Sequence, residues 1–145
     1  MKICFDMDRT IADLNGVKNW LDYLLQEDET PYLQAKTLLN MNILARLLNK
    51  LQKKGYQIGI VSWLSKNSTS NYDTKVTAAK KAWLAKHLHS VHFDFIEIVK
   101  YGTPKSFAAT DHNDILFDDE LPNREEWTGK AYDVHNIIEV LRGLP

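Results

Sequence analysis

The chain has 145 residues, one cysteine, 26% charged residues and a formal net charge of −1. That length makes a single domain over residues 1–145 the simplest reading and can bury about two thirds of the surface the unfolded chain exposes. The charge balance excludes a general attraction for nucleic acid or anionic lipid, and no apolar stretch approaches the roughly 18 residues of a membrane span. Cys4 has no partner for a disulfide within the chain and no basic-then-apolar leader precedes it, so the expected location is the cytoplasm.

In chain order, Lys2-Ile3-Cys4-Phe5 reads as a short buried strand ending in Asp6-Met7-Asp8-Arg9-Thr10. Residues 14–27 carry Val17, Trp20, Leu21, Leu24 and Leu25 at helical spacing, and the polar stretch Glu27-Asp28-Glu29-Thr30-Pro31 closes that helix. A second helical segment starts near Tyr32. Its strongest part places Leu44, Leu47, Leu48 and Leu51 on one face before Lys53-Lys54-Gly55, a suitable terminus. Residues 57–63 form an Ile/Val-rich strand, 65–71 a polar loop and 73–88 a third helix. Strands over 93–99, 115–117 and 131–134 and a terminal helix over 136–141 complete the chain. Strands alternating with helices predict an α/β fold: a Rossmann-like parallel sheet covered on both faces, with right-handed crossovers.

Such sheets bind ligands beyond the carboxyl ends of their strands. The first strand delivers Asp6 and Asp8 there, and Ile115-Leu116-Phe117 delivers Asp118-Asp119-Glu120 to the same edge. Like charges so close imply a divalent cation or split pKa values. Magnesium, which takes oxygen ligands and is commonly held by one or two carboxylates with substrate phosphate, is the natural cation. Ser62 at the end of the 57–63 strand and Lys105 after the 93–99 strand add a hydroxyl and a cation suited to an anion. Two further groupings read as surface. His87, His89 and His92 share no face for a metal, and Lys75, Lys80, Lys81 and Lys86 read as a solvated helix face. Arg124 could reach a substrate or lie at the surface.

Asp6-Met7-Asp8-Arg9-Thr10, Ser62, Lys105 and Asp118-Asp119 resemble, in order, the four motifs of the haloacid dehalogenase (HAD) superfamily of phosphohydrolases. The stretch Lys80-Lys81-Ala82-Trp83-Leu84 with Asp114-Ile115-Leu116-Phe117-Asp118-Asp119 looks like its 5′(3′)-deoxyribonucleotidase family. The resemblance implies a HAD-type fold with a small helical cap at about residues 12–40. It implies Asp6 as the nucleophile that becomes an aspartyl phosphate and Asp8 as general acid and base, with a carboxyl pKa raised by its neighbours. Magnesium would be held by Asp6, the Asp8 carbonyl and Asp118, with Asp119 behind them or reaching Lys105. Ser62, Lys105 and Thr10 would bind the phosphate, with Thr10 also orienting the loop. Arg9 stands where these nucleotidases usually have glycine. It constrains the backbone and could narrow the site or touch the substrate phosphate.

Trp20, Tyr23 and Tyr32 in the cap segment, with Trp63, could stack on a base, although core packing is the stronger expectation for Trp20. The implied activity is a magnesium-dependent phosphomonoesterase acting on a small phosphorylated substrate, a 5′-nucleotidase foremost. Sugar phosphates or nucleic-acid termini remain open as substrates, as does a non-catalytic metal or nucleotide sensor. A receiver domain is excluded by motif order, because its phosphorylated Asp follows a later strand. Oligomeric state is not legible in these residues.

Overall fold

The computed structural model describes residues 1–145. Five parallel strands form one sheet: β1 (Lys2–Phe5), β4 (Gln57–Trp63), β5 (Phe95–Val99), β6 (Ile115–Phe117) and β7 (Lys130–Tyr132), in the order β5-β4-β1-β6-β7. β1 is central, so both of its faces are covered and it reads as an unbroken apolar run; Ile3, Cys4 and Phe5 are all buried. Its register sets Phe5 beside Ile60 on one side and Phe117 on the other. The chain therefore leaves β1, β4 and β6 at one common edge.

Helices α3 (Met41–Lys53), α4 (Ser70–His87), α5 (Leu121–Glu126) and α6 (Ile137–Gly143) connect or follow these strands. Asn40 caps α3 by accepting from the Asn42 and Ile43 amides, and Leu44, Leu48 and Leu51 bury its apolar stripe against the sheet. The core continues through Ile58, Ile60, Trp83, Leu84, Ile137 and Leu141. Gly59 is required where β4 passes β5, because a Cβ there would lie 2.1 Å from the Phe95 ring. Asp114 ties the start of the sheet together by accepting from the amides of Lys2, Thr110 and Asp111. No helix is long and apolar enough to cross a membrane.

Residues 12–40 depart from the expected helix over 14–27 and the helical segment expected to run on from about Tyr32. The strands β2 (Ala12–Asp13) and β3 (Lys36–Thr37) pair antiparallel, and between them lie a 3₁₀ turn (Leu14–Gly16), α1 (Trp20–Leu25) and α2 (Thr30–Gln34). Asp13 accepts from the Gly16 amide and Asn19 takes a left-handed φ of 61°, so the first helix cannot begin before Trp20. No residue of α1 is buried; Trp20 is half-buried, which corrects its expected place in the core. α2 is anchored better, with Tyr32 packed among Leu14, Leu64, Tyr72, Val76 and Ala79. α5 was not legible in the sequence, since Leu121-Pro122 gives a helix start with almost no apolar periodicity behind it.

Candidate active site

The loop after β1 is wound tightly around the Met7 carbonyl, which accepts from the amides of Thr10, Ile11 and Ala12 at 3.0–3.1 Å. This winding places Arg9 at φ 63°, a left-handed conformation costing about 1–2 kcal/mol for a residue with a Cβ. It also turns Asp6, Asp8 and Thr10 toward the strand ends. Asp6 is buried and held on both oxygens: Oδ1 accepts from Lys105 Nζ at 2.9 Å and Oδ2 from the Thr10 hydroxyl at 3.0 Å. Thr10 is itself buried and serves the Asp6 carboxylate.

β6 ends in Asp118, wholly buried. Its Oδ2 accepts from Lys105 Nζ at 2.7 Å and Asn123 Nδ2 at 3.2 Å, its Oδ1 from the Glu120 amide, and its carbonyl from Arg124 Nη1 at 2.9 Å. Arg124 thus braces the loop. Lys105 begins a short 3₁₀ turn (Lys105–Ala108) behind Pro104, is 1% exposed, and lies between Asp6 and Asp118 with Trp63 over its ammonium at 5.4 Å. Two of its three N–H groups are used, leaving one donor. Arg9 reaches Asp119 at 3.1 Å and Glu120 at 3.4 Å at the rim.

Asp6, Asp118 and Asp119 each offer an oxygen, and these atoms lie within 4.8 Å of one another. Burial pushes the Asp6 carboxyl up, but the Lys105 ammonium outweighs it and holds Asp6 below the usual range. Burial and the Asp6 charge raise Asp118, and the same two causes push Asp119 up to about 7. Burial would lower the Lys105 pKa, but Asp6 and Asp118 hold it above the ordinary value. Three clustered carboxylates set against Lys105 and Arg9 carry one negative charge more than these two cations neutralise, and an all-oxygen donor set of this kind fits magnesium.

The largest departure from the sequence reading is Lys80. Lys75, Lys81 and Lys86 are exposed as expected, but Lys80 is 0% exposed and its Nζ donates to Asp8 Oδ2 at 3.0 Å, Ser62 Oγ at 2.7 Å and the Trp63 carbonyl at 2.7 Å. Ser62, fully buried, therefore has its oxygen engaged by Lys80. The Asp8 carboxylate is turned toward Lys80 and lies outside the three-carboxylate cluster. No signal within α4 marks Lys80, because its partners lie 72 and 18 residues away. Asn123, also missed, is buried on Asp118. The histidines form no metal cluster; His87 rests on the Trp83 ring at 4.5 Å, while His89 and His92 are exposed.

A cavity of about 600 Å³ opens over Asp6, Asp8, Lys105 and Asp119. The same cavity is lined by Trp20, Leu24 and Tyr32 from the 12–40 segment and by Trp63, Leu64 and Tyr101, together with the polar Glu27, Ser65, Lys66, Asn67 and Ser68. Trp63 is fixed by its indole N–H donating to the Thr103 carbonyl at 2.8 Å and by the Tyr101 ring at 5.0 Å.

This architecture is a Rossmann-like α/β fold with an acidic site at the carboxyl edge of its sheet. No protein-family model and no curated protein matches the sequence. Among solved structures, D,D-heptose 1,7-bisphosphate phosphatase from Burkholderia thailandensis matches over 99% of both chains, at a TM-score of 0.55 and 11% identity. A chain of a Pnkp1/Rnl/Hen1 complex matches 92% of this chain at a TM-score of 0.57 and 18% identity; the present chain spans 45% of it. Both likenesses are likenesses of fold.

Proposed function

We propose that this chain is a magnesium-dependent phosphomonoesterase of the HAD type, working through an aspartyl phosphate on Asp6, with nucleoside or deoxynucleoside monophosphates as its foremost substrates. The observation that carries this reading is the buried Asp6–Lys105–Asp118 linkage, with Asp119 beside it and Asp8 on the wall of the same cavity.

In the first transfer an Asp6 oxygen attacks phosphorus while the bond to the leaving oxygen breaks. Asp8 gives that oxygen a proton. In the second, Asp8 takes a proton from water as the water attacks phosphorus, and the bond to Asp6 breaks, releasing phosphate and restoring the carboxylate. Thr10 and Lys105 fix the Asp6 carboxylate for attack, and the remaining Lys105 donor is available to a phosphoryl oxygen. Magnesium bound by Asp6, the Asp8 carbonyl and Asp118, with Asp119 directly or through water, would supply positive charge to the phosphoryl oxygens.

The 12–40 segment acts as a small cap. Its Trp20, with Trp63 and Tyr101, gives the cavity aromatic surface on which a planar base can stack, while Ser65, Lys66, Asn67 and Ser68 in the same lining offer partners for ribose hydroxyls. A sugar phosphate is the second reading, prompted by the heptose bisphosphate phosphatase of similar fold. The test is phosphate release across nucleoside monophosphates, sugar phosphates, phosphate-ended oligonucleotides and an aryl phosphate. Preference for nucleotides supports the first reading, preference for sugar phosphates the second. Tight nucleotide binding with magnesium but no release from any substrate points instead to a sensor.

A further inference from the structure

Lys80 is a fully buried cation that the chemistry above does not use. Moving an ammonium out of water costs several kcal/mol even after relaxation, and a well-packed apolar side chain often serves a core as well or better. Its three acceptors explain its retention better than packing does. Asp8 is the carboxyl assigned to proton transfer, Ser62 ends β4, and the Trp63 carbonyl lies where the chain leaves that strand. The Tyr32 ring, 5.2 Å from Nζ, closes the remaining side.

The donor count decides what Lys80 does. An ammonium has three N–H groups, and all three are committed within the protein at 2.7–3.0 Å. None is left for a substrate phosphate, in contrast to Lys105. Lys80 can therefore act only through the groups it holds. It pins Asp8 by Oδ2, and Oδ1 has no partner in the protein.

Resting on the phosphomonoesterase reading, we infer that Lys80 is a positioning residue: through its contacts with Asp8, Ser62 and the Trp63 carbonyl it sets the rotamer of Asp8 so that the other carboxyl oxygen meets the leaving oxygen. A misplacement of about 1 Å in such a group can cost on the order of 100-fold.

Two substrates of nearly one shape isolate this role. Para-nitrophenyl phosphate expels a leaving group that needs little protonation; phenyl phosphate expels one that needs much more. The quantity to compare is kcat/KM, which covers binding and the first transfer and excludes hydrolysis of the phosphoenzyme. In Lys80→Met, kcat/KM for phenyl phosphate should fall by about tenfold or more beyond any fall for para-nitrophenyl phosphate. In an Asp8→Asn background, Lys80→Met should add no such difference, and that double variant leaves no lone buried charge. If Lys80→Met does not fold, the same two-substrate comparison is made on Lys80→Gln, whose shorter side chain carries fewer donors and no charge, and the selective fall on phenyl phosphate is again the expected result.

Equal losses on the two substrates, as a structural or phosphate-binding role would give, overturn the inference. So does a selective loss that persists without Asp8. Wild type that releases no phosphate with magnesium from these two substrates or from any other member of the panel above overturns the phosphomonoesterase reading, and this inference with it.

Discussion

Lys105 lies between two buried carboxylates, and its removal would leave both Asp6 and Asp118 without their shared donor. Breaking a buried pair from one side costs about 3–5 kcal/mol, so Lys105→Met should lower the urea midpoint by that equivalent, with magnesium restoring part of it. Full stability without magnesium would contradict the geometry. Asp119 gives a pH signature. Its folded pKa of about 7 exceeds the unfolded value of about 4, so between those limits the native state keeps a proton the unfolded chain has released. The Asp119 contribution to stability therefore falls as pH rises through that window, by linkage. In chelator, the Tm of Asp119→Asn relative to wild type should rise from about pH 4 to about pH 7 and then level off; a flat difference would refute the assignment. At this scale the acidic pairs were legible because each ends an apolar run whose direction the fold fixes. Lys80 was not. Lysine in a polar helix pattern reads as solvated, and only tertiary contacts with Asp8 and Ser62 reveal its burial.

Among the elements, those that pack against the sheet announced themselves. The Leu stripe of α3 and the apolar runs of β1, β4 and β6 match their sequence patterns to within a residue or two, because burial enforces the periodicity. The 12–40 segment was misread because its geometry is set by turn chemistry at Asp13, Gly16 and Asn19, while Leu21, Leu24 and Leu25 of α1 line a cavity and none of them is fully buried. Leu21 and Leu25 are 51% and 75% exposed, so α1 holds little buried area to resist opening. Amides in α1 should exchange with solvent far sooner than those of β1 and β4 and should slow when substrate binds. Exchange in α1 as slow as in β1 without ligand would argue against a closing cap. Within the sheet, Gly59→Ala should cost about 1–3 kcal/mol through overpacking against Phe95, readable as a lower Tm.

For the molecule as a whole, a net charge of −1 conceals a strongly uneven distribution. Asp6, Asp8, Asp118 and Asp119 meet at one sheet edge, where Lys80, Lys105 and Arg9 are arranged against them. The parallel topology was legible from the alternation of strands and helices; the rest of the cavity lining was not, since it depends on how α1 and α2 fold beside the sheet edge. The measurement that bears most directly on the site is phosphate release by wild type and Asp6→Asn, each with magnesium and with chelator, on the best substrate of the panel. Release that requires magnesium and drops by on the order of 10⁴ or more in Asp6→Asn, with its fold intact by circular dichroism, is the expected result. Release that continues unchanged in Asp6→Asn would contradict the assignment of Asp6 as the group that takes the phosphoryl.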